Sequence, residues 1–396
     1  LKTIILIGLL FFPLTIFGQE FPSLVFKNFS VKDGLSHHST TSIVADNNGI
    51  IWIGTLDGLN RYNPCGCKIY RNIPNDSTSL PDNYIEDLKK DSNGNIWVAS
   101  RTMLSRLNPK TGKFQKFPHE TLAPNHQQYA EIKRIFVDKK DNVWIATYKG
   151  IIRLNPKTGK KTKLKTPTFN DASRQGSFNK FNNVFQDNKG QLWAGNFLGL
   201  YKINAENNTL TFYDHGKDHA INAFYDQGNG KFYLGSWYGG LLEFDTKTKK
   251  FNQIFTKLFN QNWAIISDIA KWKDNSGNDW FCLSTVSGFV LMNPKTKEKK
   301  EYVYDVENAN SFNGWYTHDL FIDKDQRIWQ ANSNGISIIN PNFQNFNSIP
   351  YVSRKKNLPE EFGIIDHLYK GKNEMWFTSW FSKGLGISPN ILISKK

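Results

Sequence analysis

The chain has 396 residues, a formal net charge of +15, 39% hydrophobic and 14% aromatic residues, and three cysteines. That composition suits a core of many short aromatic-rich strands better than long aliphatic helices, and so few cysteines exclude a fold that depends on disulfides. A basic balance can mean nucleic acid, an acidic polysaccharide or an anionic membrane. Here the lysines fall in repeated turns, so the charge reads as solubilising and no nucleic-acid partner is expected.

In chain order, the first element is a targeting segment. Lys2 precedes the apolar run Ile4 to Phe17, and the small Gly18 is followed by polar Gln19 and Glu20. The run is short for a bilayer span and right for a signal peptide over residues 1–18, so the chain is expected to be exported, with no membrane span beyond that peptide. No cysteine follows it to carry a lipid anchor. Next comes LVFKNFS, Leu24 to Ser30, which reads as an isolated strand. Cys65 and Cys67, one Gly apart in a turn, would make a strained disulfide, and with no His nearby they make no zinc site. Cys282 sits in an apolar run and reads as packing.

From residue 46 onward one pattern returns. Its cores are IIWIGT, NIWVAS, NVWIAT, QLWAGN, KFYLGS, NDWFCL, RIWQAN and EMWFTS, centred on Trp52, Trp97, Trp144, Trp193, Tyr233, Trp280, Trp329 and Trp376, at intervals of 40 to 49 residues. An Asp lies six residues before the aromatic at Asp46, Asp91, Asp138, Asp187, Asp274 and Asp323. An Asn lies eleven after it in several copies, twice as NPKTGK, from Asn108 and from Asn155.

Each part has a physical role. Asp-x-x-Gly is turn chemistry: the carboxylate accepts backbone N–H groups ahead of it, and Gly takes positive φ. The Trp run is a strand, and the Gly or Ala two residues later keeps the sheet surface low where a neighbour packs. A Gly-Leu step turns back into a third strand, and Asn-Pro-Lys-Thr-Gly into a fourth. Four short antiparallel strands in such a period, repeated, predict an all-β fold: a β-propeller with the aromatic packed between adjacent blades. Seven copies would close a ring over residues 19–350, with Leu24 to Ser30 supplying the outer strand of the last blade. Residues 351–396, the eighth copy, then open a second propeller; the alternative is an eight-bladed ring closed by that copy.

These residues resemble the two-component regulator propeller repeat. Copies one to three follow its D-x-x-G-x-I-W-I-G-T-x-x-G-L-x-R-Y-N-P-x-T-G-x-F pattern, and FSVKDGLSHHSTTSIVADNNGIIWIGTLDGLNRYNP is similar to the usual start of the exported sensor region of hybrid two-component sensors. The resemblance implies a periplasmic, carbohydrate-responsive sensor ectodomain. No kinase site is recognisable in the chain, so a truncated or split sensor lacking its own kinase is expected.

Strand alternation puts the Asp-x-x-Gly and Asn-Pro-Lys-Thr-Gly turns on one face and the post-Trp turns with the interblade loops on the other. The second face carries the variable sequence. Its aromatic and polar residues suit a sugar, with rings stacking on the pyranose and polar groups bonding hydroxyls. Asp57, Arg101, Tyr148, Phe197, Trp237, Tyr238, Trp315 and Tyr316 are therefore the expected ligand-binding residues. The expected partner is a glycan or oligosaccharide, with a second propeller or sensor subunit as a further one. No catalytic residue, metal or cofactor is expected. The competing readings are a propeller lyase or hydrolase, for which Asp57, Glu86, Asp87 and Glu131 are the acids left near that face, and a protein-interaction scaffold.

Overall fold

A computed structural model describes residues 21–22, 24–63, 66–101, 103–117, 132–167, 177–217, 219–308 and 310–340, together with the backbone of three strands beyond residue 364. The expected signal peptide, Cys65 and Glu131 lie outside these residues.

Residues 26–339 form seven four-stranded antiparallel sheets. The first blade runs Thr40–Ala45, Ile51–Thr55, Gly58–Asn63 and Gly66–Tyr70. Blades two to six follow in the same strand order, spanning residues 85–117, 132–163, 181–214, 221–255 and 266–302. The first strands of neighbouring blades lie against one another all the way round, the seventh against the first, so they line the axis of a closed ring. The molecule is a seven-bladed β-propeller.

The seventh blade is made from both ends of the ring. Thr317–Ile322, Ile328–Asn332 and Gly335–Ile339 supply three strands, and Phe26–Phe29 pairs antiparallel with Gly335–Ile339 as the fourth. The isolated strand thus takes the place expected of it, the outer strand of the last blade. Thr40 adds a polar clasp, its hydroxyl donating to the Gly335 carbonyl at 2.6 Å. The eighth copy does not enter the ring. The chain divides into compact units Leu1–Phe346 and Asn347–Lys396, and in the second Ile365–Lys370, Glu374–Ser379 and Ile393–Ser394 form a separate three-stranded sheet. Trp376 lies on its central strand, opposite Tyr369.

The core is a set of seams between blades. Trp52 packs with Ile85, Leu88 and Val98 of the second blade, and Trp329 with Ile43, Ile51 and Ile53 of the first. Trp97, Trp144, Trp193, Tyr233 and Trp280 fill the other five seams in the same way. Where the residue two after the ring is glycine, this approach requires it: a Cβ on Gly54 would stand 2.7 Å from Ile85 Cγ2, and one on Gly235 2.7 Å from Ile266 Cγ2. Cys282 is fully buried in the seam between blades six and seven, and its thiol is free, as is that of Cys67.

The repeated Asp does more than hold a turn. Asp138 Oδ1 accepts from the backbone of Lys140 and Asn142 at 2.9 Å each, while Oδ2 accepts from Trp144 Nε1 at 2.9 Å. Asp46, Asp187, Asp274 and Asp323 accept from Trp52, Trp193, Trp280 and Trp329 at 2.8–3.2 Å in the same way. The six-residue spacing is therefore a turn and an indole anchor together, and the buried N–H is satisfied. Trp97 is the exception: its Nε1 is buried without a partner. Replacing Trp144 by Phe is expected to cost about 1.5–3 kcal/mol more than replacing Trp97 by Phe, because only the first loses a bond to a charged acceptor. Equal shifts of the denaturant midpoint would show that the indole bond contributes nothing net.

Candidate functional site

Every blade's first strand carries the same irregularity. Its register slips by one residue near the start, just before Ser42, Asp87, Arg134, Asn183, Ala223, Asp268 and Asp319. A bulge re-aims a side chain and leaves backbone groups without ladder partners. Three carboxylates fill that need between blades. Asp87 accepts from its own neighbour Leu88 N at 2.9 Å and from Ile135 N of the third blade at 2.8 Å. Asp268 accepts from Ile269 N at 2.8 Å and from Leu320 N of the seventh at 3.1 Å. Asp319 accepts from Ile43 N of the first at 2.8 Å, and Ser42 Oγ bridges Asp319 at 2.7 Å to Asp87 at 3.0 Å.

Arg134 closes this network across the axis. Its Nη1 lies 3.2 Å from Asp319 Oδ1 and 3.7 Å from Asp87 Oδ1, and its Nη2 donates to the His318 carbonyl. Lys89 Nζ adds a 2.9 Å ion pair to Asp87. Burial works against the guanidinium charge, but Asp319, Asp87 and Asp268 more than offset it, so Arg134 stays charged. Burial, then the charge of Asp319, pushes the Asp268 carboxyl up to about 7. Burial would also raise Asp319, but Lys89 and Arg134 hold it below the usual carboxylate range. Burial, then the Arg134 charge, lowers His318 to about 4, so its imidazole is neutral at pH 7.

Above this floor lies a cavity of about 370 Å³, at the small end of the range for ligand pockets. All seven blades contribute: Thr41 and Leu56, Glu86, Lys133 with Arg134 and Tyr148, Asn182, Asn222 with Trp237, Ser267, and His318, joined by Tyr84 and Tyr316 of the interblade loops. Post-Trp turns and interblade loops thus meet at one mouth. The Asp-x-x-Gly turns of the first two blades and the Asn-Pro-Lys turn of the second meet elsewhere, around a smaller cavity of about 290 Å³ lined by Asp46, Asn93, Asn108 and Lys110 among others.

Of the eight residues expected to bind, Tyr148, Trp237 and Tyr316 line the mouth cavity. Tyr238, half-exposed, stands edge-on to Trp237 with ring centroids 6.0 Å apart. Phe197 packs edge-on to Tyr148 at 6.0 Å, behind the lining. Arg101 lies over the Tyr84 ring at 5.5 Å, and Trp315, next to Tyr316, is 77% exposed. Asp57 is drawn aside: it pairs with Arg71 at 2.9 Å and accepts from Asn83 Nδ2 at 3.3 Å, outside the cavity. The polar lining Lys133, Arg134, Asn182, Asn222 and Ser267 was not among the expected residues. A signal for it exists, since the residue skipped at each slip falls eleven residues before the aromatic in six blades and thirteen before it in the sixth, and the copies disagree there.

With this geometry in place, comparison with known proteins becomes informative. Residues 34–57 and 79–102 match the family model described as two component regulator propeller. These two stretches of the chain match two-component regulator propeller repeats. One relative of this repeat protein is histidine kinase P4 of Formosa agariphila, 50% identical over 58 residues, which are 15% of the chain and 4% of that protein. Among solved structures, two extracellular domains from B. thetaiotaomicron assigned to hybrid two component systems share the fold. BT3049 has a TM-score of 0.68 at 18% identity, over 92% of this chain and 49% of that one. BT4673 has a TM-score of 0.64 at 16% identity, over 94% and 47%. The repeat protein therefore spans about half the length of these two domains. A streptogramin B lyase shares the fold as well, with a TM-score of 0.58 at 18% identity over 80% of this chain and 97% of the lyase. Among the described residues, no helix is long and apolar enough to cross a membrane, and no cluster of His, Cys, Asp or Glu could hold a metal ion.

Proposed function

We propose that this propeller is the exported, periplasmic ligand-sensing part of a two-component system, and that its ligand is a carbohydrate held at the mouth of the channel. The observation that carries the ligand class is the mouth itself. Tyr148, Trp237 and Tyr316 bring rings to a small cavity, with Lys133 Nζ 4.6 Å from the Tyr148 ring centroid, and Asn182, Asn222, Ser267 and His318 bring neutral hydrogen-bonding groups alongside the charged Glu86, Lys133 and Arg134. Apolar ring faces with a few convergent polar groups are what a pyranose requires. The signalling half of the proposal is supported by the repeats, by the relative named as a histidine kinase and by the two extracellular sensor domains of the same fold.

Binding without turnover is the reading the acids favour. A hydrolase needs two carboxylates free to exchange protons with a substrate. Glu86 is the one carboxylate of the cavity lining, whereas Asp87, Asp268 and Asp319 accept backbone N–H groups of neighbouring blades, and Asp87 and Asp319 face Lys89 and Arg134. They serve the ring. The test is calorimetric titration of the propeller with a glycan panel, beside the Trp237→Ala and Tyr316→Ala variants. A glycan that binds the native protein is expected to lose at least about tenfold in affinity with each variant, the scale of one lost ring contact. Undiminished binding in both would remove the ligand from this mouth, and release of new reducing ends would make the protein an enzyme.

A further inference from the structure

One blade departs from the others on the variable face. In the first, third, sixth and seventh blades the hairpin after the Trp strand places its left-handed residue on glycine: Gly58, Gly150, Gly288 and Gly335. The fifth blade's turn, Ser236 to Gly240, is one residue longer, and it holds Tyr238 at φ +70°. A bulky residue there is a genuine conformational outlier, and such strain collects at ligand sites. The side chain so placed is half-exposed, with no core to account for it.

The turn is also fixed by its surroundings. Gly240 N donates to the Ala264 carbonyl at 3.0 Å, and Gly239 forms a parallel bridge with Ala264. Trp237 N donates to the Ala220 carbonyl at 2.8 Å. That bridge sets Trp263, next to Ala264, beside Tyr238, with ring centroids 5.6 Å apart. From there the rings continue without a break: Tyr238 to Trp237 at 6.0 Å, Trp237 to Tyr316 at 6.4 Å, and Tyr316 to His318 at 4.5 Å. Trp237, Tyr316 and His318 line the cavity, whereas Tyr238 and Trp263 lie beyond its lining. The row leads from the mouth out over the fifth blade.

We infer that this row is a set of consecutive sugar subsites, so that the ligand is an oligosaccharide whose terminal sugar enters the cavity and whose following sugars stack outward on Tyr238 and Trp263. The inference rests on the carbohydrate reading and adds length and direction to it. A cavity of about 370 Å³ takes little more than the end of such a chain. Rings held by backbone bonds on a scaffold bind at small entropic cost.

The experiment is titration with cello-, laminari-, xylo- and galacturono-oligosaccharides, each from monosaccharide to hexasaccharide, on the native protein and on Tyr238→Asn and Trp263→Ala. Asparagine tolerates positive φ, so the first variant removes the ring and keeps the turn. In a series that binds, affinity is expected to rise by at least about tenfold between the monosaccharide and the tetrasaccharide. Both variants are expected to flatten that rise and leave monosaccharide affinity unchanged. A series that binds with no length dependence, or with one that both variants preserve, overturns the subsites and leaves the sugar reading standing. Absence of binding by every series overturns both.

Discussion

Replacing Arg134 by methionine is expected to cost the propeller about 3–5 kcal/mol, the range for breaking a buried ion pair by removing one partner. Arg134 begins in the third blade and reaches Asp319 of the seventh and Asp87 of the second. Its removal leaves Asp87, Asp268 and Asp319 around the axis with Lys89 as the neighbouring cation. All three acids hold backbone N–H groups of the next blade, so their repulsion is transmitted to the seams between blades two and three, six and seven, and seven and one. The cost is a penalty for stranded charge, not the worth of the pair, and this makes it separable. Adding Asp319→Asn to Arg134→Met should recover part of the loss, since one charge is removed while the amide oxygen can still accept from Ile43 N. Urea midpoints of the native protein and the two variants check this. A single-variant loss below about 1 kcal/mol would mean that water screens the axis and that the network stabilises little.

Deleting residues 21–30 is expected to abolish the folded monomer. Phe26 and Phe29 are 3% and 6% exposed, and each sits in a different seam, between blades six and seven and between seven and one. Losing a buried Phe side chain costs about 3–5 kcal/mol, so two of them rival the roughly 5–15 kcal/mol that holds a whole domain together. The deletion also uncovers the edge of Gly335–Ile339, which would then pair with another chain. Size-exclusion chromatography should show oligomer or aggregate in place of monomer. Phe26→Ala alone is expected to lower stability by about 3–5 kcal/mol while keeping one cooperative transition. A deletion variant that remained monomeric, with an unchanged melting temperature, would show that this strand does not close the ring.

How far the molecule could be read from its residues differs by element. The blades were legible because each is local. Asp138, Trp144 and Asn155 fix two turns and a strand within twenty residues, and the same chemistry recurs in the other copies. Even so, only part of the Asp role was visible. A carboxylate before a Gly announces a turn, but its second oxygen meets the indole six residues on only once the hairpin has folded.

The site was legible as a face and not as a set of partners. Alternation of strands told which turns share a side, and Tyr148, Trp237 and Tyr316 do meet at the mouth. Asp57 stands on that side too, yet Arg71 holds it outside the cavity, a pairing across a hairpin that composition cannot announce. The network joining Asp87, Arg134 and Asp319 was hidden for a different reason. They lie in separate copies, Arg134 and Asp319 being 185 residues apart, and no local pattern links them.

The sequence by itself determined the repeat, the strand and turn order and the aromatic that fills each seam, because these follow from contacts within one copy or between successive ones. Only the tertiary structure decided that the ring closes at seven, that the bulge residues meet on the axis, and that the fifth blade's longer turn carries its aromatic row toward the mouth. Those features depend on bringing the first copy against the seventh, and closure is a property of the whole ring.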